Sequence, residues 1–159
     1  MTDEVINVTG VSNTLGNGSS SSASDTYMSY RGIEDWYGDL FEFIDGVNVS
    51  DREVFTNSDY NTFTSDTFTG DYTTTGLTAP TDNGYITDVN FSEAGFVPIE
   101  ASGGSSSTYV TDTVSTSSGD TVCRFSGDAS KENACGGFFL VMESDSSFQS
   151  TTTGASIAY

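Results

Sequence analysis

Residues 29–48, SYRGIEDWYGDLFEFIDGVN, constrain what this chain can fold into more than any other stretch. They hold the single tryptophan, Trp36, with Tyr30, Tyr37, Phe41 and Phe43, in a chain otherwise dominated by Ser, Thr, Gly and Asp. Large rings bury far more surface than small side chains, so a scarce aromatic cluster is where packing starts. Tyr30, Trp36, Phe41 and Phe43 are therefore the expected structural core. Leu40, Phe43 and Ile44 recur at helical spacing, while Leu40, Glu42 and Ile44 alternate with Phe41 and Phe43 as in a strand. So short a run leaves both open. Gly32, Gly38 and Gly46 punctuate the segment too closely for any long element.

The chain of 159 residues has the size of one domain, or of one domain with an arm. Hydrophobic residues make up 35% of it, below the roughly 45–50% of ordinary globular domains. Thr, Ser, Tyr, Phe and Val with only two prolines point to strands and turns. Twenty-three acidic residues against four basic ones give a net charge of −19, with no histidine. The acids are spread along the chain, so the charge belongs to the folded surface. Such a polyanion is repelled by phosphate backbones and by anionic lipid, which argues against nucleic-acid binding and membrane insertion. No segment approaches the ~18 apolar residues of a membrane span, and no apolar run precedes a secretory cleavage site. The charge favours solubility. With Lys131 as the single lysine it points further, to a salt-rich milieu in which self-repulsion is screened within about 3 Å at 1 M salt. Calcium on surface carboxylates is the one cofactor left open, although Asp51, Asp59, Asp66 and Asp71 lack the spacing of a calcium loop.

Along the chain, residues 5–8 alternate as an edge strand or inter-subunit arm would, and 12–26 form a Gly/Ser tract with the composition of a flexible connection. Residues 1–26 thus read as arm and linker, and 27–159 as the domain. Phe55, Tyr60, Phe63 and Phe68 alternate with polar residues, as in short strands with one buried face. Asn83-Gly84 is a tight-turn signal. Strands are expected at 121–126, 136–142 and 155–159.

Four ordered blocks resemble C-type-lectin-like domains of tailed-virus fibre and adhesin proteins. The first is Ser29, Tyr30, Arg31, Gly32, Ile33, Glu34, then Tyr37, Gly38, Asp39, Phe41, Phe43 and Asp45-Gly46-Val47-Asn48. The second runs Thr75, Gly76, Leu77, Ala79, Pro80, then Asn83, Gly84, Tyr85, Ile86 and Asp88. Phe96-Val97-Pro98 and the 103–109 segment GGSSSTY complete the set. Formylglycine-generating enzymes and diversity-generating variable proteins share the family's fold. The resemblance implies an α+β, strand-dominated, C-type-lectin-like fold on the outside of a virion. It also implies a non-enzymatic role as a receptor-binding fibre or head spike that contacts a host cell-surface protein or glycan. Other virion proteins would be its neighbours, and a homo-oligomer, such as a trimer, its assembly. A capsid-decoration or collar protein without host binding is the rival reading.

The residues offer little for catalysis. Ser–His and Cys–His chemistry need a base that a chain without histidine lacks, and two thiols alone make a poor zinc site. Glu34, Asp35, Asp39, Glu42 and Asp45 crowd the signature, but carboxylate proximity is expected in so acidic a chain. Cys123 and Cys135 would enclose a short loop; a disulfide there would stabilise by roughly 2–3 kcal/mol, and two buried free thiols are the alternative. In the family the closing segment carries the ligand-facing side chains. Here it offers Asp128, Ser130, Lys131, Glu132 and Asn133, with Phe148 and Gln149 further on, while Ala129 and Ser156 replace the family's Trp and Arg. Those seven residues are the expected binding surface, since loops on a rigid scaffold are where recognition sits.

Overall fold

At the aromatic segment the strand alternative wins. Phe41 opens a ten-residue strand, β3 (Phe41–Ser50), around which the rest of the sheet is laid. The computed structural model describes residues 29–30, 33–34, 40–105, 107–108, 110, 112–127 and 136–154. Ahead of β3, β1 (Ser29–Tyr30) and β2 (Ile33–Glu34) form a short antiparallel ribbon. Then follow β4 (Glu53–Thr56), β5 (Thr73–Thr78), β6 (Gly84–Tyr85), β7 (Asp88–Ser92), β8 (Gly95–Glu100), β9 (Thr113–Thr116), β10 (Asp120–Phe125), β11 (Leu140–Ser144) and β12 (Thr153–Gly154). The protein is strand-dominated, as expected. Among the described residues the only helical piece is a 3₁₀ turn, Tyr60–Thr62, so the helix of an α+β fold is not found there. Accordingly, no described helix is long and apolar enough to cross a membrane.

Eight strands make one sheet in the order β5-β4-β3-β10-β11-β9-β6, with β12 added in parallel beside the first residues of β3. β10 flanks one side of β3, and β4 and β12 share the other. Between Val122 and Arg124, β10 advances two residues while its partner β3 runs from Asn48 to Phe43, a step of five. This bulge carries an odd number of extra residues, and side chains alternate with period two, so it reverses which residues of β3 face the core. Ile44 lies on the core side at its start and Val47 at its end, followed by Val49, while Phe41 and Asn48 face the opposite side. Gly46 sits in the bulge at φ +78°, a left-handed conformation that costs glycine little.

The main core lies on one face. Val49, Val54, Val114, Cys123, Leu140 and Met142 come from the sheet, and Val97 of the β7–β8 hairpin with Ala79, Ile86 and Ala101 covers them. On the other face Phe41, Phe139 and Val141 form a smaller cluster, the two rings 5.5 Å apart and tilted. Burial here combines β-branched residues from strand centres with rings, which is how a Ser/Thr-rich chain reaches enough apolar area. Phe43, expected in the core, is 36% exposed. The bulge begins directly after it. Trp36 lies outside the described residues, and Tyr30 is in β1.

Candidate functional site

Two loops lie across the outer face of β3 and leave a groove between them. The first, residues 57–72, is pinned by buried polar side chains. Asn48, 3% exposed, donates from Nδ2 to the carbonyl oxygens of Thr64 and Thr67, each at 2.9 Å. Tyr72, 4% exposed, accepts the Thr64 N–H at its hydroxyl at 3.0 Å. Both backbone groups of Thr64 are thereby satisfied by residues of the scaffold, which fixes the loop without a neighbouring strand. Phe68 packs edge-on against Phe55 of β4, ring centres 5.4 Å apart, and the Phe63 ring fills the space beside Gly46.

The second loop, residues 145–152, is anchored by Arg124 of β10. Its guanidinium carbon lies over the ring of Phe148, 4.2 Å from its centre, and over that of Phe41, 5.2 Å from its centre. Nη1 donates to Thr153 Oγ1 at 3.2 Å, Nη2 donates to Ser144 Oγ at 3.0 Å, and Nε is buried without a hydrogen bond. Arg124 is only 5% exposed, and burial holds its pKa below the ordinary arginine value, partly offset by the Glu143 carboxylate. Contact with aromatic faces is something a guanidinium does better than an ammonium. Ser146 of this loop hydrogen-bonds Asp66 of the first, closing one end of the groove.

The resulting groove has a volume of about 400 Å³, within the roughly 300–1,000 Å³ of small-molecule sites. Its floor is Phe43, Asn48 and Val122, its walls Phe63 and Tyr72, and its rim Asp45, Ser65 and Ser146. An exposed ring, hydroxyls and a single carboxylate are thus offered by a surface whose loops are held in advance. Among the described residues no three Cys, Asp or Glu side chains gather as a metal site requires.

Of the expected binding residues, Asp128, Ser130, Lys131, Glu132 and Asn133 lie outside the described residues. Gln149 is exposed, whereas Phe148 spends one ring face on Arg124. Asp45, Asn48, Phe63 and Arg124 were not singled out as binding or anchoring residues. The signal that could have found the groove is Gly46, because an isolated glycine in a strand pattern marks a bulge.

Cys123 is a free thiol buried in the main core with Val49, Val114 and Leu140; Cys135, its partner in the bridge weighed from the sequence, lies outside the described residues. Burial pushes its pKa up to about 12, against a slight opposing pull from Arg124. The fold therefore holds this proton more tightly than the unfolded chain does. That preference costs nothing below the unfolded pKa of 9.0 and lowers stability as pH rises from there towards 12, by at most about 1.4 kcal/mol per pH unit. In a Cys135→Ser variant, Cys123 should resist iodoacetamide in the native state and react once urea unfolds the protein. Rapid labelling of native protein would contradict the buried placement.

Comparison with family models, with curated proteins and with solved structures finds no match to this chain. The functional reading rests on the residues and their arrangement.

Proposed function

We propose that this chain is a non-catalytic binding module on the outside of a virion, a fibre or spike part of a tailed virus whose host lives in high salt. The sequence blocks that resemble viral C-type-lectin-like domains support the setting, and the net charge of −19 supports the milieu. The observation that carries the binding role is the groove: two surface loops held open over an exposed Phe43 by the buried side chains of Asn48, Tyr72 and Arg124. Burying polar and charged side chains to brace surface loops costs desolvation, and a preformed recognition surface returns that cost as affinity. The chemistry of the residues argues against an enzyme. The chain has no histidine, and the Cys123 thiol is enclosed and held protonated.

A structural role among other virion proteins is favoured by one separate observation. Phe91 and Phe138 are exposed around the Phe96 ring, which meets Phe138 edge-on at 5.1 Å, an apolar patch of the kind that subunit contacts cover. The two readings part in one experiment. Fluorescently labelled protein, with its homo-oligomeric state measured in the same buffer, should attach saturably to host cells or isolated surface-layer glycoprotein in molar salt. Attachment to virion particles alone would replace the receptor-binding role with decoration.

A further inference from the structure

We propose that the groove over Phe43 takes a neutral sugar ring, a reading that rests on the binding role above and gives it a ligand class. A pyranose has one apolar face of C–H groups and a rim of hydroxyls. The site offers the matching surfaces. Phe43 presents a ring that is 36% exposed on a strand whose other ring, Phe41, is packed away. Around it stand the Ser65 hydroxyl, the Asp45 carboxylate and the Ser146 hydroxyl, whose proton goes to Asp66 and whose lone pairs can still accept, all on exposed residues that line the groove. Hydroxyls donate and accept, and a carboxylate accepts from two adjacent sugar hydroxyls at once, so this rim suits a polyol better than an apolar ligand.

Charge narrows the class. Among the described residues no cation lines the groove. Arg124 lies behind it with both Nη groups hydrogen-bonded, and the protein as a whole carries −19. A sulfated, phosphorylated or uronate sugar would bring its charge to Asp45 with no cation among the described lining residues to balance it. A cationic amine would be attracted at low ionic strength, but that attraction fades in the salt the composition implies. Stacking on Phe43 and hydrogen bonding at the rim do not fade in this way, so a neutral ligand is the one whose affinity survives.

The test is an NMR titration of isotope-labelled protein with the methyl glycosides of glucose, galactose, mannose and N-acetylglucosamine, and with glucuronate and a sulfated galactoside as the anionic arm. At least one neutral glycoside should shift the resonances of Phe43, Asp45 and Ser146, with an affinity nearly equal at about 0.15 M and about 1 M NaCl. Phe43→Ala should weaken it about tenfold or more, Phe43→Trp should preserve it, and Asp45→Asn should weaken it without lowering the urea midpoint. No shift with any neutral glycoside, shifts confined to another surface, or tighter binding of an anionic probe would overturn the assignment. So would wild-type affinity in both Phe43→Ala and Asp45→Asn. Host-cell attachment that persists in Phe43→Ala sinks the sugar groove while the binding-module reading stands. Glycoside binding in a protein that attaches to no cell upholds the groove and removes the receptor role.

Discussion

Gly46→Ala is expected to destabilise the protein by roughly 3 kcal/mol, the upper end for a single methyl. Two effects combine. The residue sits at φ +78°, where any side chain is strained, and a Cβ would stand 2.7 Å from Phe63 Cζ and 2.8 Å from the Asn57 carbonyl oxygen. The ring could swing aside; the carbonyl could not, because the Asn57 N–H donates to the Gly46 oxygen at 2.9 Å and fixes that backbone. Gly95→Ala is the control. Its φ is +85° with nothing within 4 Å of the added carbon, so it should cost only the conformational part, about 1 kcal/mol. Urea midpoints by circular dichroism compare the two. Equal losses would mean that the bulge tolerates a side chain and that the loop does not press on it. The expected difference would also tie stability to the groove, since moving Phe63 moves its wall.

How much of this was legible beforehand follows from which signals are local. Strand content was, because Thr, Val, Tyr and Phe with two prolines leave few other elements, and β10 at Asp120–Phe125 lies within a residue of the strand expected at 121–126. Phe43 was placed in the core because rings are scarce, yet it lies on the outer face with Phe41, beside a bulge whose position depends on β10, a partner more than seventy residues away, and is 36% exposed there. Residues 136–142 read as one strand, yet β11 begins only at Leu140; Phe139 turns to the outer cluster and Phe138 towards Phe96. The groove was invisible for a related reason. Asn48 closes the first of the four blocks and Tyr72 belongs to none, and the role of both in bracing a loop appears only once the Thr64 backbone is laid across the sheet. Arg124 carries no sequence signal of its place, which three elements converging on it create.

Arg124→Ala should cost about 2–4 kcal/mol, whereas Arg124→Met should cost distinctly less. The arginine fills the space between Phe41 and Phe148 and ties β10 to Ser144 of β11 and Thr153 of β12. Alanine empties that space and releases the 145–152 loop. Methionine keeps an unbranched filler against both rings, and its thioether makes favourable contacts with aromatic edges. It also removes a charge whose desolvation is visible in the depressed pKa and whose Nε has no hydrogen bond. Against this gain stands the loss of attraction to Glu143 and to the acidic surface at large. That attraction is the part salt can screen. The penalty of methionine should therefore shrink between low and molar salt, while most of the alanine penalty, being packing, should persist. Urea midpoints of the three proteins at both salt concentrations measure this directly. If alanine and methionine cost the same at every salt concentration, the arginine acts through its charge alone, and the stacked rings would not be what holds the loop beside the groove.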